Sequence, residues 1–349
     1  MESSVSTIAA RVNEICDRTK ALIDQGDAAA AQTDINLKLG SLRATSSQEE
    51  WRSACVLLRQ HPVHALLVED AFIGAAYRKL RGYPGDAAML DYLYEYPPLD
   101  DVAGSAIGRA LCRASLNRPI VAAIRTRRDF IAGAIRETMA RVSNPIVVSV
   151  ACGHMRELQC IDASASGLTV IGLDQDANTV ETLRTLHPTV QLRATAATVR
   201  SIVERQIDLP PADLVYASGL YDYLPDRAAI ALTIALTRCL RPGGLLLVPN
   251  LTPANDEIAY LEAVADWWMI YRTRDDLRVL GNAAESSDEG LETSVMDLAD
   301  GRIACLAISR SAKEAGETGR GEHSPPHFST TSAVTIPNIP CSLSACGRM

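Results

Sequence analysis

The sequence changes its period after Pro145. Ile146-Val147-Val148-Ser149-Val150 is a short, nearly all β-branched run. Such a run suits a strand covered on both faces, as in a parallel sheet. Further strand-like runs fall at 168–173, 190–193, 214–217 and 245–248, separated by helical segments near 155–163, 176–186, 197–206 and 226–240. Strands alternating with helices predict an α/β fold, with βαβ units wound into a mostly parallel sheet. The end of this region differs. Two strands, 291–296 and 303–308, flank Ala299-Asp300-Gly301-Arg302, and Asp-Gly favours a tight hairpin turn. The sheet is therefore expected to close with an antiparallel hairpin.

The first part of the chain has no such alternation. Residues 1–140 read as all-helical, with apolar positions at helical spacing in Ile8, Val12, Ile15 and Leu22. Breaks are expected at Gly40, His61-Pro62, Gly82-Tyr83-Pro84-Gly85 and Pro97-Pro98. The expected organisation is a helical cap over 1–140, a sheet domain over 141–310 and a disordered, Gly-, Ser-, Thr- and Pro-rich tail over 311–349.

Charge and cysteine content narrow the function. A formal net charge of −8 over 349 residues argues against a dedicated nucleic-acid binder. No apolar run is long enough for a membrane span. The 9 cysteines include no C-x-x-C pair, so reduced thiols in a cytoplasm are expected and a metal site is not.

The chemistry-bearing constellation begins where the first strand ends, at Val150-Ala151-Cys152-Gly153-His154-Met155-Arg156-Glu157. Gly153 lets the backbone approach a ligand closely. A helix beginning there would offer free amides to it. Asp174 ends the next strand, 21 residues after Gly153, a spacing that suits binding of ribose hydroxyls. Ser218-Gly219-Leu220-Tyr221-Asp222-Tyr223-Leu224 runs off the fourth strand. Leu240-Arg241-Pro242-Gly243-Gly244 leads into the fifth.

These elements, in this order, resemble class I S-adenosylmethionine-dependent methyltransferases, with their Rossmann-like sheet. Positions 151 and 155, where further glycines are common, carry Ala and Met. Gly82-Tyr83-Pro84-Gly85-Asp86 and Gly219–Leu224 are similar to two boxes of a narrower bacterial subgroup with a helical N-terminal segment. Some of its members make hydroxy fatty acid methyl esters used as signals. Ala265-Asp266-Trp267-Trp268-Met269-Ile270-Tyr271-Arg272 also fits that subgroup.

The resemblance implies S-adenosylmethionine as cofactor and a small molecule as methyl acceptor. Ala151, Cys152, Gly153, Glu157, Asp174, Thr198, Ser218 and Gly219 would then hold the cofactor. Tyr83, Asp86, Tyr221 and Asp222 are the catalytic candidates, and Tyr83, Tyr271 and Arg272 the substrate-binding ones. One of Arg125, Arg127 and Arg128 could pair with a carboxylate of cofactor or substrate. Trp267 and Trp268 would face different ways on one helix. Carboxyl methylation of an acyl substrate is the first specific reading, and O- or N-methylation of a secondary metabolite the second. A nicotinamide-dependent oxidoreductase and a non-catalytic cofactor-binding domain remain the alternatives from other classes.

Overall fold

The computed structural model describes residues 2–102, 104–162 and 167–312. All but the first two residues of the expected tail therefore lie outside the described part.

Among the described residues, eight α-helices precede the sheet: α1 (Glu2–Asp24), α2 (Ala28–Ala44), α3 (Gln48–Gln60), α4 (Pro62–Leu67), α5 (Ala71–Arg78), α6 (Ala87–Leu93), α7 (Ala106–Leu116) and α8 (Pro119–Arg141). Their starts are written locally. Ser47 and Glu50 form a reciprocal cap on α3, Asp70 accepts from the first amides of α5, and Asp86 accepts from Met89 in α6. Each such side chain satisfies amides that a helix start leaves unpaired. Gly40 does not break the chain as expected but lies inside α2. The buried Ile35, Leu39 and Leu42 anchor that helix, and packing outweighs the roughly 1 kcal/mol that glycine costs in a helix.

Among the described residues, the sheet has seven strands in the order β3-β2-β1-β4-β5-β7-β6. They are β1 (Ile146–Val150), β2 (Thr169–Asp174), β3 (Gln191–Ala196), β4 (Ala212–Tyr216), β5 (Leu240–Leu251), β6 (Leu291–Leu298) and β7 (Ile303–Arg310). The first five are mutually parallel, and β7 runs antiparallel between β5 and β6. Helices α9 (Ala177–Leu186), α10 (Val199–Val203), α11 (Asp226–Thr237), α12 (Ile258–Val264) and α13 (Arg274–Glu285) connect the strands. This is the Rossmann-like methyltransferase sheet that the sequence predicts, with its terminal antiparallel hairpin.

Four local expectations are corrected. After β1 the chain forms only a short 3₁₀ helix, Arg156–Cys160, in place of an α-helix. Pro242-Gly243-Gly244 does not precede β5 but lies within it, where the pairing with β4 shifts register. The hairpin turn holds three successive left-handed residues, Ala299, Asp300 and Gly301, so it is longer than a two-residue turn. Trp267 and Trp268 follow α12 on an irregular segment, not on a helix.

Residues 1–312 form one compact unit. The helical core built on Ile8, Leu39, Leu58 and Phe72 continues into Leu251, Tyr260, Leu261, Val264 and Trp267. Glu262 of α12 accepts two bonds from Arg43, at 2.7 and 3.1 Å, and one from Trp51 at 2.7 Å. The connection between β5 and α13 thus completes the helical layer. It also fixes that layer over the carboxyl ends of the strands, where open α/β sheets bind ligands.

Candidate active site

The loop after β1 is built from alternating left-handed residues. Ala151, Gly153 and Met155 have φ of 50°, 55° and 49°. Only glycine adopts this region freely, so Ala151 and Met155 carry strain. The two positions without the common glycines nevertheless keep a glycine-like backbone. The turn returns the chain toward β2, where the Cys152 amide donates to the Leu173 carbonyl at 3.0 Å. The Gly153 amide donates to Asp174 Oδ2 at 2.9 Å.

Asp174 is buried, and its Oδ1 accepts the Asp176 amide at 3.0 Å. An ionised carboxylate has about four acceptor positions. Two remain, which is what a pair of ribose hydroxyls needs. Across the same edge, the Ala197 amide donates to the Asp174 carbonyl at 2.8 Å. That brings segment 197–198 beside the acid, although the Thr198 hydroxyl itself caps α10.

A cleft of about 460 Å³, including space shared with solvent, opens against this loop. Ala151, Cys152, Gly153, Glu157 and Ser218 line it from the sheet side, and Asp91, Tyr94 and Arg128 from the helical side. Tyr216 donates to Glu157 at 2.5 Å, and burial pushes the Glu157 carboxyl above its ordinary range despite that bond. The cleft thus presents a carboxyl and a guanidinium, a fit for the ammonium and carboxylate ends of an amino-acid moiety. Together with the free acceptor positions of Asp174, the residues fit an S-adenosylmethionine-like ligand.

The helical layer is tied to the loop by one acid. Asp91 accepts from Arg156 at 2.8 and 2.7 Å and faces His154 Nδ1 at 2.8 Å. Arg156 also lies over the Tyr96 ring, 4.1 Å from its centroid. Burial raises the Asp91 carboxyl, but Arg156 and His154 outweigh it and hold the group below its ordinary value.

The box at 82–86 forms a strap over the sheet edge. Lys79 pairs with Asp266 at 2.6 Å and Arg81 with Asp176 at 2.7 Å. Gly85, at φ 80°, leaves room for Tyr223 and Trp267, since a Cβ there would strike the Tyr223 hydroxyl. The Tyr223 hydroxyl donates to the Pro84 carbonyl at 3.3 Å and accepts from Trp267 at 2.7 Å. The two boxes, distant in sequence, therefore meet. Tyr83 lies near Asp174 and Asp176. Burial, reinforced by those two acids, pushes its phenol up to about 12.

Not every candidate reaches the cleft. The Tyr221 hydroxyl bonds Thr233 at 2.9 Å in the core beneath α11. Arg272 is buried and spends its guanidinium on the Tyr221 and Leu224 carbonyls, Asn250 and Asp226, at 2.6, 2.5, 3.1 and 2.8 Å. The substrate role expected for Arg272 and the catalytic role expected for Tyr221 are corrected: both fix the turn after β4. Asp86 caps α6 at 2.8 Å. Asp222 accepts the Leu251 amide at 2.8 Å and faces Arg127 at 3.5 Å. The Tyr271 hydroxyl is buried without a partner. Sequence reasoning missed Asp91, Tyr94 and Tyr216, whose places were set by packing between distant segments.

Residues 148–248 match the family model described as a methyltransferase domain. Over those residues the chain is similar to a methyltransferase domain. Its cofactor is S-adenosylmethionine. The match covers β1 through most of β5 and so includes the loop and the acid described above. No curated protein is similar to the chain in sequence. Among solved structures, a possible exported protein from Bordetella parapertussis has the same fold, with TM-score 0.55 and 19% identity over 89% of this chain and 97% of that one. Magnesium protoporphyrin IX methyltransferase from Synechocystis PCC 6803, solved with bound SAH, gives TM-score 0.43 and 15% identity over 69% and 100% of the two chains. An O-methyltransferase family protein from Burkholderia thailandensis gives 0.41 and 15% over 77% and 75%. Among the described residues, no helix of this chain is long and apolar enough to cross a membrane.

Proposed function

We infer that the protein transfers a methyl group from S-adenosylmethionine to an oxygen of a small molecule bound under the helical layer. One observation carries the reading. Asp174 and Gly153 are joined at 2.9 Å beside a cleft that offers both signs of charge. Asp174 would hold the ribose, while Glu157 and Arg128 would hold the amino-acid end. The cofactor supplies an electrophilic methyl carbon. The chain supplies alignment and exclusion of water, and orienting two reactants is worth on the order of 7–11 kcal/mol.

A carboxyl oxygen is the acceptor this cleft serves most simply. A carboxylate is already nucleophilic and needs no proton removed, unlike an alcohol or phenol. Its lone pair would form the new O–CH₃ bond as the S–CH₃ bond breaks, and the leaving pair would stay on sulfur. The strap at 82–86 and the aromatic side chains Tyr94, Tyr223 and Trp267 would wall the acceptor.

The test is incubation of the purified full chain with methyl-labelled S-adenosylmethionine and a small-molecule extract. Label released by mild alkali, as from a methyl ester, is the expected result. Failure of the chain to bind S-adenosylhomocysteine in calorimetry would overturn the reading. Label that resists alkali would move the acceptor to a hydroxyl or amine.

A further inference from the structure

Arg127 is a buried charge whose donors are only partly satisfied, with the Tyr94 hydroxyl as its side-chain hydrogen-bond partner. Its side chain is 4% exposed, and its Nε and Nη1 atoms are sealed from solvent without a hydrogen-bond partner. A guanidinium carries five donors, and buried donors are almost always paired. Leaving them unpaired costs free energy that a fold retains only for a reason. Asp222 does not relieve the deficit, because its Oδ1 is engaged by the Leu251 amide and its Oδ2 stands 3.5 Å from Nη1.

The position is as informative as the deficit. Arg128, one residue on, lines the cofactor cleft, and so does Ser218 at the exit of β4. Gly219, the residue after Ser218, has φ 97°, and a Cβ there would lie 3.1 Å from Arg127 Nη2. The guanidinium therefore occupies the space that a side chain at 219 would take. Arg127 thus directly precedes one cleft-lining residue, and Gly219, which it touches, directly follows another. The buried Tyr271 hydroxyl also lacks a partner, and the charges of Asp222 and Tyr223 act on it as that of Arg127 acts on them.

We propose that Arg127, with the Tyr271 hydroxyl as second donor, binds the carboxylate of the methyl acceptor. This rests on the methyltransferase reading above and names the acceptor's reacting group. A carboxylate supplies the acceptors these donors lack, and guanidinium matches its geometry in a two-pronged contact. Methylation then removes the charge that Arg127 holds, so the ester is bound more weakly than the acid and leaves. The acceptor end accordingly discriminates by charge as well as by shape.

The experiment uses the full chain saturated with S-adenosylhomocysteine. Calorimetry measures binding of butanoate, octanoate, dodecanoate and benzoate, each beside its neutral amide and its methyl ester. At least one carboxylate should bind, and about 10- to 100-fold more tightly than its amide or ester, the range expected for hydrogen bonds to a charged group. Arg127→Gln should lose that preference while keeping its affinity for S-adenosylhomocysteine within about threefold, a change well under the tenfold worth 1.4 kcal/mol. Tyr271→Phe should lose part of it.

If Arg127→Gln fails to fold, Arg127→Lys serves, since it keeps the charge and removes the fork. Its carboxylate affinity should still fall, and unchanged affinity overturns the proposal. Equal binding of acid and amide by the wild type, or of no carboxylate at all, also overturns it. So does a loss confined to S-adenosylhomocysteine in the variant, which would give Arg127 to the cofactor's own carboxylate. A wild-type chain that binds no S-adenosylhomocysteine would instead defeat the underlying methyltransferase reading.

Discussion

The Asp174 carboxylate takes the Gly153 amide at 2.9 Å, so the end of β2 holds the loop that leaves β1. One side chain both shapes the turn and keeps acceptor positions free. Asp174→Ala should therefore weaken S-adenosylhomocysteine binding by about 10- to 100-fold, the loss expected when hydrogen bonds to a charged group are removed. Calorimetry reads it, and unchanged affinity would remove Asp174 from the site.

Ala151 offers the opposite kind of test. Its φ of 50° is a conformation that an L-residue enters at a cost of roughly 1–2 kcal/mol. Ala151→Gly should relieve that strain, less the extra freedom glycine gains in the unfolded chain. The expected outcome is unfolding stability equal to or up to about 1 kcal/mol above wild type in urea denaturation. A clear destabilisation would mean that the methyl group packs against something the turn needs.

Asp91 joins the helical layer to the same loop. Its folded carboxyl is held below the ordinary value, so it stabilises the fold above the unfolded pKa of about 4, and the contribution is lost as pH falls through the lower folded value. Asp91→Asn should cost about 2–3 kcal/mol at neutral pH, because Arg156 and His154 lose a charged acceptor. It should also flatten the acid limb of the stability curve. Chemical denaturation across the acid range reports both effects.

Asp70 predicts the reverse slope. Burial lifts its carboxyl to about 6, against the bonds from Ser115 at 2.5 Å and from the Ile73 and Phe72 amides. A raised acid stabilises the fold fully below the unfolded pKa, near 3.8, and that contribution fades as pH rises through about 6. The span is about two pKa units, or about 3 kcal/mol. Asp70→Asn keeps a capping acceptor and should remove this slope; a slope that persists in the variant would place its source elsewhere.

Gly85 tests whether the two boxes depend on each other. A methyl group there would meet the Tyr223 hydroxyl and Trp267, in a backbone region that already disfavours side chains. Gly85→Ala should destabilise the chain by about 1–3 kcal/mol, the usual cost of overpacking. Pairing it with Tyr223→Phe should recover part of the loss in thermal unfolding, and simple additivity would show that the contact carries no energy.

The sheet was legible because its signals are local. β-branched runs, a glycine turn and an acid one strand later are all written within consecutive residues. The partners Asp91 and Tyr94 were not, since they are placed by how α6 packs on the loop, and the arginines of α8 were legible only as a group of three, not as which one lines the cleft. Arg272 and Tyr221 were misread for a related reason. They lie in segments that resemble functional boxes, but which face of a turn meets the core is settled only by what covers it. Gly40 shows packing overriding propensity in the same way.

The buried grip of Arg43 and Trp51 on Glu262 reaches beyond stability. It makes residues 252–273 the property of the helices as much as of the sheet. An exchange of specificity with a related enzyme would have to carry both pieces together. A graft of the first 140 residues alone would mate a foreign cap with a native saddle, leaving a buried glutamate without its arginine and indole partners. Under the function proposed above, acceptor choice would be inherited as two separated stretches of gene that must change in step.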